Sequence, residues 1–512
     1  MRRITRRRAL ADALAGAGGL ALILNGCGSG AGADRAALTG STLQSTWRDP
    51  VGDGQLRIGP GERLAARLEL GARRRSTAAL ATLAHVTDAH VLDACSPARV
   101  PFLDRLGPPF QSTFRPQEAL TAQVLTGAVN AVRALGPELV IQGGDLIDND
   151  QSNELTHALA GLRGGIVSPS SGRDGYYGVQ SASDTDPFYY RPDVDAPRHP
   201  GLLATAVRPF RSAGTGRPVH PVLGDHDALV AGELAPTELT RALAVGDRAL
   251  WNLPSGLTVP PGARISALTS PDGPPDPGLV DPFLRRALAG PTVRVPADPR
   301  RREMSFDEVI SRLSGAGPGP AAPGARVPPA PQPRLDYTLD AGPHVRLIVL
   351  DLVQRAGGSG GMIAPDQPGW LASQLAGAGN RWVIVVSHQP LESSAGGDLL
   401  LAALDRAPRV IAAINGHTHR NQIRPRITAA GGYWLISTAS LIDYPQQARA
   451  LRIHATEDGG VAIQTWMLDH VFPGGLGTIA RELSYLDAQG GRPEGFAGTA
   501  ADRNAVLYRA AV

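Results

Sequence analysis

Five short clusters in this sequence combine aspartate with histidine. They are Asp88-Ala-His90, Gly144-Asp145-Leu-Ile-Asp148, Gly224-Asp225-His226-Asp227, His388 and Gly416-His417-Thr-His419. Carboxylate oxygens with imidazole nitrogens, and no thiolate, form a donor set that suits Mn, Fe or Zn. Singly, each cluster says little. Asp-x-His arises often by chance, Gly-Gly-Asp is more commonly a turn, and the Ser-His-Gln-Pro around His388 fits a solvated loop. Gly-His-x-His is stronger, because two imidazoles on one extended segment point into one region. All five occur in order, each after an apolar run, and that joint pattern points to a single metal site.

Such clusters need elements to bring them together. Residues 81–87, 138–142, 218–223, 345–350, 382–387 and 410–415 are short apolar runs, predicted as buried strands. All but 345–350, which ends at Asp351, lead into one of the five clusters. Residues 116–135 space their apolar positions as a helix does, with Pro116 suited to the first turn, and a second helix opens at Gln367. Further strand patterns occupy 433–438, 450–454 and 461–466. Alternating strands and helices imply an α/β layered domain, in which ligands sit beyond the carboxyl ends of the strands. Residues 163–217 read as a long loop insertion, and the Pro/Ala/Gly tract 315–333 as an extended surface loop.

The 512 residues include no lysine, so all 50 basic residues are arginine. Residues 1–26 hold five arginines and one acid; without them the chain has 45 basic and 46 acidic residues. A near-neutral remainder gives no electrostatic footprint for nucleic acid and argues against a nuclease. Residues 2–8 are basic and 9–24 apolar, too short to span a membrane and suited to a secretory signal. Thr5-Arg6-Arg7 resembles a twin-arginine signal, and Leu24-Asn25-Gly26-Cys27 a bacterial lipobox that would make Cys27 a lipid-modified first residue. The expectation is an exported protein touching the membrane only through that anchor. Cys95 and His85 read as packed core residues, and the tyrosines of the insertion carry no assigned role.

The ordered clusters resemble the calcineurin-like metallophosphoesterase superfamily, over about residues 78–470. The stretches Ser96-Pro-Ala-Arg-Val100, Arg115-Pro-Gln-Glu-Ala-Leu120 and Ser440-Leu-Ile-Asp-Tyr-Pro-Gln-Gln447 look like an actinobacterial exported branch. The resemblance implies a two-sheet β-sandwich flanked by helices, with long loop insertions. With the leader and the Gly/Ala-rich segment after it, the expected division is a signal peptide at 1–26, a tether and peripheral segment at 27–75, a catalytic domain at 76–470 and a packed C-terminal extension at 471–512. One metal ion would be held by Asp88, His90, Asp145 and His419, the other by Asp145, Asp225, His388 and His417, with Asp145 bridging. Two such ions can hold a bridging hydroxide at neutral pH and clamp a phosphoryl group. His226 would assist the leaving alkoxide, oriented by Asp227, and Asp148 would fix a ligand's orientation. A small phosphate mono- or diester is the expected substrate. The family has Asn where this chain has Asp225, which adds a negative charge and removes an amide donor. That departure implies tuned activity or a different metal preference. It also leaves open a surface lipoprotein whose degenerate site binds metal or phosphate without turnover.

Overall fold

Alternation within the strands explains how two sheets share one core. The computed structural model describes residues 39–106, 113–253, 256–257, 277–315, 333–491 and 496–512. The expected signal segment (1–26), Cys27 and most of the Pro/Ala/Gly tract (316–332) lie outside the described residues. In chain order the strands of the two main sheets are β1 (Ala65–Leu70), β2 (Ser76–Val86), β3 (Leu139–Gln142), β4 (Val219–Pro221), β5 (Tyr337–Ala341), β6 (Val345–Leu350), β7 (Trp382–Ser387), β8 (Val410–Asn415), β9 (Gln422–Arg426), β10 (Tyr433–Ser437), β11 (Gln447–Thr456), β12 (Val461–Asp469) and β13 (Ala505–Arg509). The seven-stranded sheet runs β1-β13-β12-β11-β2-β3-β4 and the six-stranded sheet β5-β6-β7-β8-β10-β9. The fold is an α/β two-sheet sandwich flanked by helices.

In the smaller sheet Leu347, Val349, Ile384, Val386, Ile414, Trp434 and Ile436 join the large core shared with the other sheet. Their alternating neighbours Ile348, Leu350, Val383, Val385 and Leu435 pack instead with Leu371, Leu400, Leu401 and Leu404. Those last leucines belong to helices Gln367–Ala376 and Gly397–Asp405, so the period of two assigns one face to the sister sheet and the other to helices. Strands covered on both faces read as continuous apolar runs, as Trp-Val-Ile-Val-Val does in β7. Helix Thr121–Leu135, with twelve of its residues buried, links β2 to β3 and packs on β11 and β12. It begins five residues later than the spacing from Pro116 predicts, because a 3-10 turn, Glu118–Leu120, precedes it.

Two expectations change. Within 27–75 the described part is not wholly peripheral: β1 pairs with β13, and β13 with β12, so this segment and the C-terminal extension both add strands to the larger sheet. Arg449, fully buried between the sheets, ties this together through Thr438 (3.1 Å), Thr465 (3.1 Å), Asn421 (2.9 Å) and the carbonyl of Asp502 (3.0 Å). The 163–217 insertion is also not all loop. It holds a small hairpin (Gly165–Val167 with Phe210–Ser212) and helix Leu202–Ala206.

Candidate metal centre

The larger sheet contributes three neighbouring parallel strands, β2, β3 and β4, whose carboxyl ends lead into Asp88, Asp145 and Asp225. The smaller sheet contributes β7 and β8, also parallel neighbours, which lead into His388 and His417. Sharp turns with left-handed residues follow three of the five strands, β2, β3 and β8. Asp88 (φ 51°), His90 (φ 42°), Asp145 (φ 48°), His417 (φ 61°) and His419 (φ 56°) are left-handed, five of the seven such non-glycine residues among those described. Each costs about 1 kcal/mol or more, a cost that accumulates where surrounding structure holds a site in shape. Here β2 and β3 hold each other's loops, Asp88 N–H donating to Gly144 O and His90 N–H to Asp145 O, both at 3.0 Å. Gly224 is required by close approach: a Cβ there would lie 2.2 Å from Asp145 Oδ1.

Two donor sets result, Asp88/His90/Asp145/His419 and Asp145/Asp225/His388/His417, each with its ligand atoms within 4.8 Å of one another. Asp145 belongs to both. His388 Nε2 lies 3.0 Å from Asp145 Oδ2 and 3.2 Å from Asp225 Oδ1, and His417 Nδ1 3.3 Å from Asp225 Oδ1. His419 Nε2 lies 3.3 Å from Asp88 Oδ1. The tautomers show that these sets fit metal ions. His388 Nδ1 must donate to the carbonyl of Gly143 (2.8 Å), which leaves Nε2, a buried atom with no hydrogen-bond partner, facing two carboxylates. His90 Nδ1 faces Asp148 (3.2 Å) and His419 Nδ1 faces Asp443, so both Nε2 lone pairs converge, 3.2 Å apart. Two lone pairs repel at that distance unless a cation lies between them. Two imidazoles on one tetrahedral ion, with bonds of about 2.0–2.1 Å, stand about 3.3 Å apart.

Without ions the cluster draws positive charge from protons. Burial opposes it, but Asp88 and Asp443 raise His419 to about 9. His388 is likewise raised, against its burial, by Asp145 and Asp225. Asp88 and Asp225, though buried, are held below the usual carboxylate range by the imidazoles beside them.

Behind the donors stand residues that the motifs alone did not reveal. Asp443 accepts from His419 and from Arg115, through Nε (2.5 Å) and Nη2 (3.2 Å). Asp148 accepts from His90 and from Arg99, and Arg99 also reaches Glu118 (2.7 Å). Gln389 donates to Asp225 Oδ1 at 3.0 Å. Arg99, Arg115, Glu118 and Asp443 all fall within the three stretches that resembled a family branch, which was the available signal. Asp148, expected to fix a ligand's orientation, lies against His90 Nδ1.

His226 sits at the edge of the cluster, its ring centroid 4.5 Å from that of His90 and its side chain partly exposed. Asp227 does not orient it. The Asp227 carboxylate turns inward and accepts from the main-chain N–H groups of Leu146 (2.8 Å), Ile147 (3.2 Å) and Gly224 (3.0 Å). Burial and the nearby Asp145 push its pKa up to about 7. The His226 ring is instead fixed by its Nδ1–H on the main-chain carbonyl of Asp148, at 2.7 Å, which leaves Nε2 as its working atom.

No family model matches the sequence. No curated protein matches it either. Among solved structures, a dimetal phosphatase from Danio rerio is similar over 77% of this chain and 98% of its own, at 14% identity and a TM-score of 0.37. PhoD is similar over 85% of this chain and 80% of its own, at 10% identity and a TM-score of 0.30. Neither likeness is close enough to bear on substrate or activity.

Proposed function

We propose that this protein is a metal-dependent phosphoric ester hydrolase that acts outside the cytoplasm on a small phosphate mono- or diester. The observation that carries this reading is the pair of donor sets sharing Asp145, with His388 Nε2 unpartnered between two carboxylates. Two divalent ions, when bound, supply Lewis acidity toward the phosphoryl oxygens and an activated water. The chain's own residues do the rest. Asp88, Asp145 and Asp225 with the four imidazoles would hold the ions, and Gln389 keeps the Asp225 carboxylate turned toward them. His226 holds a proton at Nε2 for the departing alkoxide. Asp145, Asp148 and Asp225 outweigh its burial and raise its pKa, so it stays protonated to higher pH. The near-neutral charge outside the leader supports a small substrate over nucleic acid, and the basic-then-apolar leader with Cys27 supports export and a lipid anchor.

The test is to measure metal content and hydrolysis of para-nitrophenyl phosphate and its bis ester, with and without Mn. Turnover that depends on added metal is expected. One observation favours a second reading, binding without turnover: Asp225 brings a third carboxylate where the resembling family has an amide. Metal uptake with no hydrolysis of either ester, in wild type and in Asp225→Asn alike, would establish that alternative.

A further inference from the structure

The two donor sets are not equally supported from behind. In the Asp88/His90/Asp145/His419 set, both imidazoles donate their second nitrogen to a carboxylate, Asp148 for His90 and Asp443 for His419. Each carboxylate is itself gripped by a buried arginine, Arg99 on Asp148 and Arg115 on Asp443. Their side chains are only 7% and 5% exposed, so this grip is not diluted by solvent. In the other set, His388 donates to a neutral main-chain carbonyl. His417, with a quarter of its side chain exposed, has no carboxylate behind it among the described residues apart from its fellow donor Asp225.

A carboxylate behind a ligating imidazole raises its basicity and fixes its ring plane. Removing such a partner commonly weakens metal binding about 10–100-fold. A buried arginine–carboxylate pair also resists rotation, because moving either partner strands a charge away from water. Resting on the function proposed above, we infer that the two Arg-gripped carboxylates make the Asp88/His90/Asp145/His419 position the tighter of the two, with Asp443 and Arg115 as positioning residues. The Asp225/His388/His417 side would then take up and release its ion more readily. Arg99 and Arg115 share the connection between β2 and helix Thr121–Leu135, where Glu118 accepts from Arg99 Nη2 (2.7 Å) and Arg115 N–H (3.2 Å), while Asp148 and Asp443 come from after β3 and after β10.

The test is calorimetric titration of the metal-free full-length chain with Mn²⁺. Two uptake events at least tenfold apart in affinity are expected. His417→Ala should abolish the weaker event and so assign it. Asp443→Asn keeps an oxygen for His419 Nδ1–H but removes the charge. It should weaken the tighter event by roughly 10–100-fold and leave the weaker within about twofold. Arg115→Lys, which retains charge but not the two-pronged grip, should weaken it less. Unchanged far-ultraviolet circular dichroism separates these effects from misfolding. Should Asp443→Asn misfold, Arg115→Lys and the wild-type spacing still decide. Two ions bound with one affinity, or variants that leave the tighter event unmoved, would overturn the inference while leaving the hydrolase reading standing. A wild-type chain that binds no ion would overturn both.

Discussion

At the scale of single residues, the site divides between groups that could hold ions and one that could hold a proton. His226 is the second kind. Its Nδ1 is spent on the Asp148 carbonyl, its main-chain N–H donates to Asp145 Oδ1 at 2.9 Å, and its ring packs edge-on against His90. A general acid matters in proportion to how poor the leaving group is, because a stable phenolate departs without a proton. His226→Gln should therefore slow hydrolysis of an alkyl phosphate ester by about 10²–10⁴-fold, but that of a para-nitrophenyl ester far less. Ion uptake should stay within twofold. Equal losses on both esters would remove His226 from the proton-transfer step. Residue by residue, the sequence exposed the ligands because each sits one to four positions past an apolar run. It hid Asp443, Arg115 and Gln389 as partners, because what matters about them is which distant residue they meet. Asp443 and His419 are 24 positions apart, Arg115 and Asp443 328.

At the scale of elements, the strands readable in the sequence were those buried on both faces, whose apolar runs are continuous. The ones missed were edges or short and mixed: β1 (Ala-Ala-Arg-Leu-Glu-Leu), partly exposed along most of its length, β5 (Tyr-Thr-Leu-Asp-Ala), β9 (Gln-Ile-Arg-Pro-Arg) and β13 (Ala-Val-Leu-Tyr-Arg). Polar residues and a proline are what an edge strand tolerates and a pattern search passes over. The turns after the strands carry the next expectation. Gly144 has φ 97°, and a Cβ there would lie 2.3 Å from His388 Nδ1; Gly201 has φ 78° with open space around it. Both Gly→Ala changes should cost about 1–3 kcal/mol of stability through backbone strain. Only Gly144→Ala should also displace His388 and lower activity by at least tenfold. Equal activity in the two variants would show that His388 has room to move. A second element-level effect concerns Asp336, just before β5, which accepts from Asp351 N–H (2.8 Å) and Gln367 Nε2 (3.0 Å). Burial and the neighbouring Asp351 carboxylate push its pKa up from 3.8 to about 7. A raised folded-state value means stability that is fully present below the unfolded pKa and is lost as pH rises through the folded one. Asp336→Asn keeps the accepting oxygen and has no charge to acquire. It should be more stable than wild type at pH 8, on the order of 1–3 kcal/mol, with no such gain at pH 4. Urea unfolding at the two pH values checks the sign; an equal effect at both would remove Asp336 from the linkage.

At the scale of the whole molecule, the donors are divided between the sheets. Asp88, His90, Asp145 and Asp225 follow strands of the seven-stranded sheet, while His388, His417 and His419 follow strands of the six-stranded one. Each donor set draws on both. An ion bound there acts as a cross-link at one rim of the sandwich, added to the apolar core and the Arg449 network that already join the sheets. Ligand at 100 times its dissociation constant contributes about 2.7 kcal/mol to a state that alone can bind it. Because that contribution lies at the rim, it should protect the rim first. Removing the ions with a chelator should therefore speed amide hydrogen exchange together in the loops at 88–93, 143–150, 224–229, 388–391 and 416–421. The turn at 457–460 marks the opposite rim, since Thr456 pairs with Ser76 at the far end of β2, and its exchange should be unchanged. Exchange that rises in the loops of one sheet only would mean the ions bind to that sheet alone. Exchange that rises equally at both rims would mean that the ions stabilise the fold as a whole rather than clasping its two sheets at the site.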